Sequence, residues 1–315
     1  MGIGISHFML ECLHKVYVKC KEVEQTPLEF DYSGADEVSR IIKSKLESEE
    51  PLMIARYGAN ELSCVVNYLS VSSKKHSALR FIRGEEASWW WNEGVIRNMQ
   101  NNAGFFPPTE DNLSRFGALM LKDAEQLDIL GSWLQNEKKL GNRLEHVTKV
   151  ALTDIEPSHT DIPWTQWLEG KKVLVVHPFA DTIKYQYENN RSRIYSNKKI
   201  LPELSRLDVI RAVQSIGGST IYKDWFEALE WMKSEIDKVD FDICLIGCGA
   251  YGFPLAAHVK RGGKKAIHWG GSLQLLFGIK GRRWDNDNLY NEYWTRPFET
   301  DIIPSLSTVE NGCYI

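Results

Sequence analysis

The chain predicts an α/β fold: a mainly parallel, Rossmann-like sheet with flanking helices and a helical aromatic insertion. Three short apolar runs predict it, Val173-Leu174-Val175-Val176, Ile243-Cys244-Leu245-Ile246 and Lys265-Ala266-Ile267-His268. Each is followed by a turn and a helical pattern. Alternating strands and helices build a parallel sheet with crossover helices. Nearly continuous apolar runs mark strands buried on both faces.

The elements follow in order. Phe8, Met9, Leu13 and Val16 give the first segment an amphipathic pattern, read as a helix docked on the rest of the chain. Residues 35–49 read as a helix with Val38, Ile41, Ile42 and Leu46 on one face. Pro51 introduces the apolar strand Leu52-Met53-Ile54-Ala55, which ends at Arg56-Tyr57-Gly58. A second helix starts near Asn60 and carries Leu62, Val65, Val66 and Leu69. The segment 75–140 reads as helical and aromatic, with Trp89-Trp90-Trp91, Phe105-Phe106 and Trp133, and Gly104 and Pro107-Pro108 punctuate it. Within it, Asp128-Ile129-Leu130-Gly131 has the makings of a short strand.

After the strand at 173–176, a helix is expected at 180–190, a weaker strand at 206–213 and a helix at 224–238. The strand at 243–246 leads through a glycine turn to a helix at 253–260. The strand at 265–268 leads to a short helix at 272–278. The tail, 285–315, is polar and aromatic without clear periodicity. No repeat or low-complexity linker divides the chain, so residues 1–315 are expected to form a single domain.

Length permits a large core, since a chain of 315 residues can bury roughly three quarters of its unfolded surface. A net charge of −4 gives no support for a nucleic-acid partner. The six cysteines are scattered without a CxxC pair, which fits a reducing compartment rather than a zinc knuckle or redox motif. The start of the chain lacks the basic and apolar regions of a signal peptide, and no apolar run is long enough to span a bilayer. The expectation is a cytoplasmic protein without an integral membrane segment.

Four clusters at predicted strand ends could carry chemistry, because open parallel sheets bind ligands outside the carboxyl ends of their strands. The first is Arg56-Tyr57-Gly58-Ala59-Asn60-Glu61. Arg56 can hold an anion in its fork, and Glu61 can hold a metal or accept a hydroxyl proton. Equally, the two can pair to tie a loop to a helix. The second is Gly247-Cys248-Gly249-Ala250-Tyr251-Gly252, a GxGxxG turn between strand and helix that suits a phosphate. A dinucleotide site also wants an acid about 20 residues on. Here the next strand ends in His268-Trp269-Gly270-Gly271.

The third cluster runs from His268 through Gly270, Gly271, Ser272 and Gln274 to Lys280-Gly281-Arg282-Arg283-Trp284, with Ser272 as an N-cap and the basic residues facing a departing diphosphate. The fourth is His177-Pro178-Phe179-Ala180-Asp181-Thr182. There Thr182 reads as a helix cap, Asp181 as a cap or hydroxyl ligand, and His177 as a packed histidine.

Together these motifs resemble the GT-D class of bacterial glycosyltransferases, over most of the chain from the first strand to Trp284. The anchors are Ala55 to Glu61 and the strand–turn–helix–strand unit from Ile243 to Gly271. In that family the first motif usually reads Arg-Phe-Gly-Asp-Gly-Glu, and its acids are associated with a metal and the sugar nucleotide. Here the Glu is Glu61, and Ala59 stands at the Asp position. The stretch from Gly270 to Trp284 looks like a subgroup associated with polysaccharide loci.

The resemblance implies transfer of a sugar from a nucleoside-diphosphate donor to a hydroxyl on a glycan, free or linked to lipid or protein. Glu61, Asp181 and His268 are then the expected catalytic groups. Arg56, Gly58, Asn60, Gly247, Gly249, Tyr251, Gly252, Gly270, Gln274, Lys280, Arg282 and Arg283 are the expected substrate contacts. A Mn or Mg ion would rest on Glu61. Two alternatives stay open: a Rossmann-type NAD-dependent oxidoreductase, and a non-catalytic nucleotide- or glycan-binding protein. Exposed members of the Trp89-Trp90-Trp91 run could grip an acceptor, although such runs are more often core.

Overall fold

The computed structural model describes residues 6–20, 27–215, 221–303 and 313–315. Of the tail at 285–315, residues 304–312 lie outside the described residues. In chain order the strands are β1 (Leu52–Ala55), β2 (Ile129–Ser132), β3 (Thr148–Ala151), β4 (Lys172–His177), β5 (Arg206–Arg211), β6 (Ile243–Ile246) and β7 (Lys265–His268). They form one sheet in the order β3-β2-β1-β7-β6-β4-β5, and every pair is parallel. The fold is α/β and Rossmann-like.

The helices are α1 (His7–Cys20), α2 (Ala35–Glu47), α3 (Ala59–Val71), α4 (Ala78–Ile82), α5 (Glu93–Asn101), α6 (Glu110–Ala124), α7 (Ala180–Ile194), α8 (Trp225–Asp237), α9 (Gly252–Arg261) and α10 (Leu273–Leu276). Because side chains alternate along a strand, each strand feeds two cores. Met53 and Ala55 of β1 face α3, α6, α8 and α9, whereas Leu52 and Ile54 face α2, α7 and α10. With both faces covered, β1, β2, β6 and the interior of β4 are fully buried, which is why they read as unbroken apolar runs.

The helices after β1 and β6 lie on one face, and those after β4 and β7 lie on the other. Chain departures therefore diverge between neighbours at the middle of the sheet, where doubly wound folds open a crevice.

Several expectations need correction. The strand β3 adds to the expected strands; only Val150 of its four residues is buried, and an edge strand carries a weak apolar signal. The segment 75–140 is not wholly helical: α4, α5 and α6 lead into β2, which joins the sheet beside β1. The helix α1 does not dock through Phe8, Met9, Leu13 and Val16, which are all exposed. It packs through Leu10 and His14 instead. No helix among the described residues is long and apolar enough to cross a membrane.

The start of α7 is built differently from its local sequence reading. Thr182 is buried inside the first turn, and the cap is Asp301, about 120 residues later. The Asp301 carboxylate accepts from Asp181 N (3.2 Å), Thr182 N (2.8 Å) and Thr182 Oγ (2.6 Å), and also pairs with Arg211. Thr182 Oγ in turn accepts from Phe298 N at 2.9 Å, so this one cluster pins the C-terminal segment to the sheet. Replacing a buried acceptor leaves several donors unsatisfied. Asp301→Ala is therefore expected to lower stability by about 2–4 kcal/mol, read from urea unfolding. A loss below about 0.5 kcal/mol, the ordinary surface value, would contradict this role.

Candidate functional site

A cavity of about 250 Å³ opens at the carboxyl edge of the sheet. A residue at or just past the end of every strand lines it: Arg56 after β1, Trp133 after β2, Leu152 after β3, His177 ending β4, Val213 after β5, Gly247 after β6 and Trp269 after β7. This convergence follows from the parallel topology, which sends all strand ends to one side.

Arg56 brings a positive charge to the wall from the end of β1. Its Nη1 donates to Tyr57 O at 3.2 Å, and its guanidinium lies 5.8 Å from the Trp133 ring centroid. Its Nε is buried without a partner. Among the described residues no carboxylate forms an ion pair with it, so it does not pair with Glu61. The chain makes room for the guanidinium at Gly270, where φ is +75° and an added Cβ would collide with it.

Trp133 is itself held in place. Its Nε1 donates to Tyr57 O at 2.9 Å, and its backbone N donates to the buried Glu137 at 3.1 Å. Glu137 also accepts from Leu134 N at 3.1 Å and from the Ser132 hydroxyl. Burial raises the Glu137 carboxyl, and these donors oppose the shift. Glu137 thus fixes the ring that Arg56 lies against.

Glu61 sits in the first turn of α3, buried, with its carboxylate folded back over Gly58. A Cβ at Gly58 would occupy the place of that carboxylate. Glu61, Gly58 and Asn60 all line the cavity. Across from them, Gly249 lines it at φ +57° with open space on its Cβ side. Glycine is required there by the backbone and leaves room for close approach. The N-termini of α3 and α9 both begin on this wall, where aligned peptide dipoles favour an anion.

The other expected residues divide. Gly247, Tyr251, Gln274 and Arg283 reach the cavity, whereas Asp181, Gly252, Gly270, Lys280 and Arg282 do not line it. Asp181 is half exposed and pairs with Arg211 at 2.8 Å. The basic cluster splits because the chain turns at Arg282–Trp284, leaving Arg282 exposed and Lys280 over the Tyr290 ring at 5.5 Å. Gly252 serves packing: a Cβ there would meet the His268 ring. Ser272 lines the wall but does not cap α10. Its hydroxyl donates to Trp269 O at 3.4 Å and bonds the Glu156 carboxyl.

His268 is buried behind the wall, with Nδ1 3.1 Å from Ile246 O. Burial first, and the Arg56 charge second, push its pKa down to about 3. That environment gives a neutral, packed ring rather than an acid–base group. His177, read as packed, does line the cavity. Its Nδ1 accepts from Phe179 N at 3.0 Å, which leaves the proton on Nε2 as a donor, and burial lowers its pKa to about 3.

Local sequence patterns single out none of Gln214, Ser215 and Tyr314 as wall residues, whereas Trp269 belongs to the cluster after the last strand and Trp133 to the aromatic segment. Gln214 and Gln274 each donate through Nε2 to backbone carbonyls, so their buried Oε1 atoms are acceptors without partners. Trp269 Nε1 is a buried donor in the same position. With Arg56 Nε, four unsatisfied polar atoms belong to residues of this one wall. Buried polar groups are generally paired, and three more among the described residues, Tyr57 Oη, Asp123 Oδ2 and Trp225 Nε1, also lack a partner.

The Trp89-Trp90-Trp91 run lies elsewhere. Its rings stack on His76 and His7 and against Phe81, and none lines the cavity.

Glu61 is the single carboxylate among the described residues of the wall. No group of three or more His, Cys, Asp and Glu among the described residues could hold a metal ion. The donor set does not fit a resident metal centre; a Mn or Mg ion would depend on water and substrate oxygens. Compared with models of known protein families, with curated proteins and with solved structures, the chain matches none.

His177 and His268 have a consequence for stability. An unfolded imidazole takes a proton near its ordinary value of 6.5, whereas these two stay neutral in the fold until about 3. The unfolded state therefore binds more protons below 6.5, and the contribution of each ring falls as pH drops through that value. Each accounts for up to about 1.4 kcal/mol per pH unit. His268→Gln should flatten the pH dependence of unfolding free energy between about pH 6 and 5 by roughly that amount. An unchanged slope would show that His268 protonates in the native state.

Proposed function

We propose that the protein is a nucleotide-sugar-dependent glycosyltransferase, moving a sugar from a nucleoside diphosphate to an acceptor hydroxyl. The observation that carries this reading is the Arg56 guanidinium. It has no carboxylate partner among the described residues, and it shares one cavity with an open glycine turn and with Glu61, the single acid among the described wall residues. A partly buried, uncompensated cation calls for an anion. The Gly249 turn at the start of α9 adds backbone donors and a helix dipole of the same sign. The strand after that turn ends in His268-Trp269-Gly270, without the acid that a dinucleotide ribose needs.

In this reading the bond from the anomeric carbon to the diphosphate oxygen breaks as a bond to the acceptor oxygen forms. The electron pair leaves with the diphosphate. Arg56, Arg283 and the Gly249 turn hold the charge that develops there. The acceptor proton goes to the Glu61 carboxylate. Trp133 and Tyr314 line the cavity and offer ring faces for base or sugar. The cavity falls just below the usual range of ligand pockets, about 300–1,000 Å³. A sugar nucleotide would therefore extend into its mouth.

Arg56→Gln should weaken binding of a nucleoside diphosphate at least about tenfold, the usual scale of one charge-assisted hydrogen bond, and leave nucleoside binding nearly unchanged. Calorimetry with both ligands distinguishes this from general damage, which would weaken both alike.

Glu61→Gln should remove most transfer while nucleoside diphosphate binding stays near wild type. Melting temperature and turnover per folded molecule, measured on one preparation, make the test. Full activity in the variant excludes Glu61 as the proton acceptor. A wild-type protein that binds sugar nucleotides but never turns them over is a binding protein.

A further inference from the structure

The helix α1 has two unlike sides. Its inner side packs: Leu10 is buried, the His7 ring stacks on Trp90 at 4.0 Å, and His14 Nδ1 lies 2.9 Å from Phe81 O. Glu11 is turned toward the protein and accepts from Asn92 Nδ2 at 3.1 Å. The outer side carries Phe8 (76% exposed), Met9 (52%), Leu13 (43%) and Val16 (61%). At 100° per residue these four fall within one arc of the helix. Leu79 of the neighbouring α4 is also exposed, at 56%.

Cations outnumber acids around this face among the described residues. Lys15 and Lys19 border the apolar arc and are exposed. Arg83 is exposed beside Gly84, which lies within contact distance of His14 and Val18 of α1. Lys74 and Lys75 are exposed in the turn before α4. The acids nearby are engaged: Glu11 with Asn92, Glu85 with Arg80 and Glu86 with His76. Among the described residues a local cationic excess therefore surrounds an apolar stripe, in a chain whose net charge is −4.

We propose that the α1–α4 face is a docking surface for an anionic lipid bilayer, with the Phe8–Val16 stripe at the headgroup–acyl boundary and the lysines among the headgroups. An exposed apolar arc bordered by lysines is the pattern of helices that lie in the membrane interface. Juxtamembrane basic residues add attraction to anionic lipid. A second copy of the same face is a poorer occupant, because a two-fold contact would set its cations against one another. The inference is independent of the sugar-transfer reading, since no residue of this face lines the cavity.

Co-sedimentation of the full chain with phosphatidylcholine vesicles, with and without phosphatidylglycerol, tests it. Binding is expected to the anionic vesicles, much less to the neutral ones, and to weaken as salt rises. Leu13→Glu/Val16→Glu and, separately, Lys15→Glu/Lys19→Glu should each reduce binding by about tenfold or more. Both pairs are exposed, so melting temperature should stay near wild type, and it is measured alongside. No binding to anionic vesicles overturns the proposal, as does equal binding to both vesicle types or undiminished binding by either variant. So does a wild-type dimer in sedimentation that Leu13→Glu/Val16→Glu makes monomeric, which would assign the face to a second copy.

Discussion

The Arg56 guanidinium lies against the Trp133 ring and the backbone of Gly270, with its Nε buried and unpartnered. Much of the surrounding architecture serves that placement. Gly270 must lack a side chain and adopt φ +75°. Trp133 must be anchored to Tyr57 O, and Glu137 must hold the turn from which Trp133 projects. Among the described residues Arg56 has no carboxylate partner, and a partly buried charge without one is unfavourable. Burial first, and the Arg56 charge second, lower the pKa of His268 behind it, which keeps that ring neutral against Gly252.

The parallel sheet explains why this charge meets the other groups. Seven strands pointing one way bring Arg56, His177, Gly247 and Trp269 to one edge from four adjacent strands. Helices leaving to opposite faces open the space between them, and two helix N-termini face into it. Sequence-distant residues complete the wall. Tyr314 packs against Gly271, and its carbonyl accepts from Gln274 Nε2 at 3.3 Å. Arg283 N donates to Cys313 O at 3.0 Å. The C-terminal residues are thus part of the site rather than an appendage.

The strands buried on both faces were legible because their apolar runs are unbroken, as in Val173 to Val176 and Ile243 to Ile246. Strand β3 was not, since an edge strand needs only Val150 buried. The Arg56–Glu61 and Gly247–Gly252 clusters were legible because each follows a strand directly. What failed had long-range causes. Asp301 takes the capping role expected of Thr182 from about 120 residues away, and local sequence carries no mark of that. Lys280, Arg282 and Arg283 look like one patch in sequence, but a turn sends only Arg283 to the wall. The periodicity of α1 was visible, yet periodicity alone cannot say which side packs, and here the more apolar side faces out.

The central claim is that Arg56 holds the anionic part of a donor nucleotide in the cavity at the carboxyl edge of the sheet. A crystal structure of the protein with a nucleoside diphosphate tests it most directly. Phosphate oxygens are expected within hydrogen-bonding distance of the Arg56 guanidinium and of the backbone N–H groups at Gly249. A nucleotide bound with its phosphates away from Arg56, or an anion-free Arg56 beside a nucleotide seated elsewhere, would contradict it.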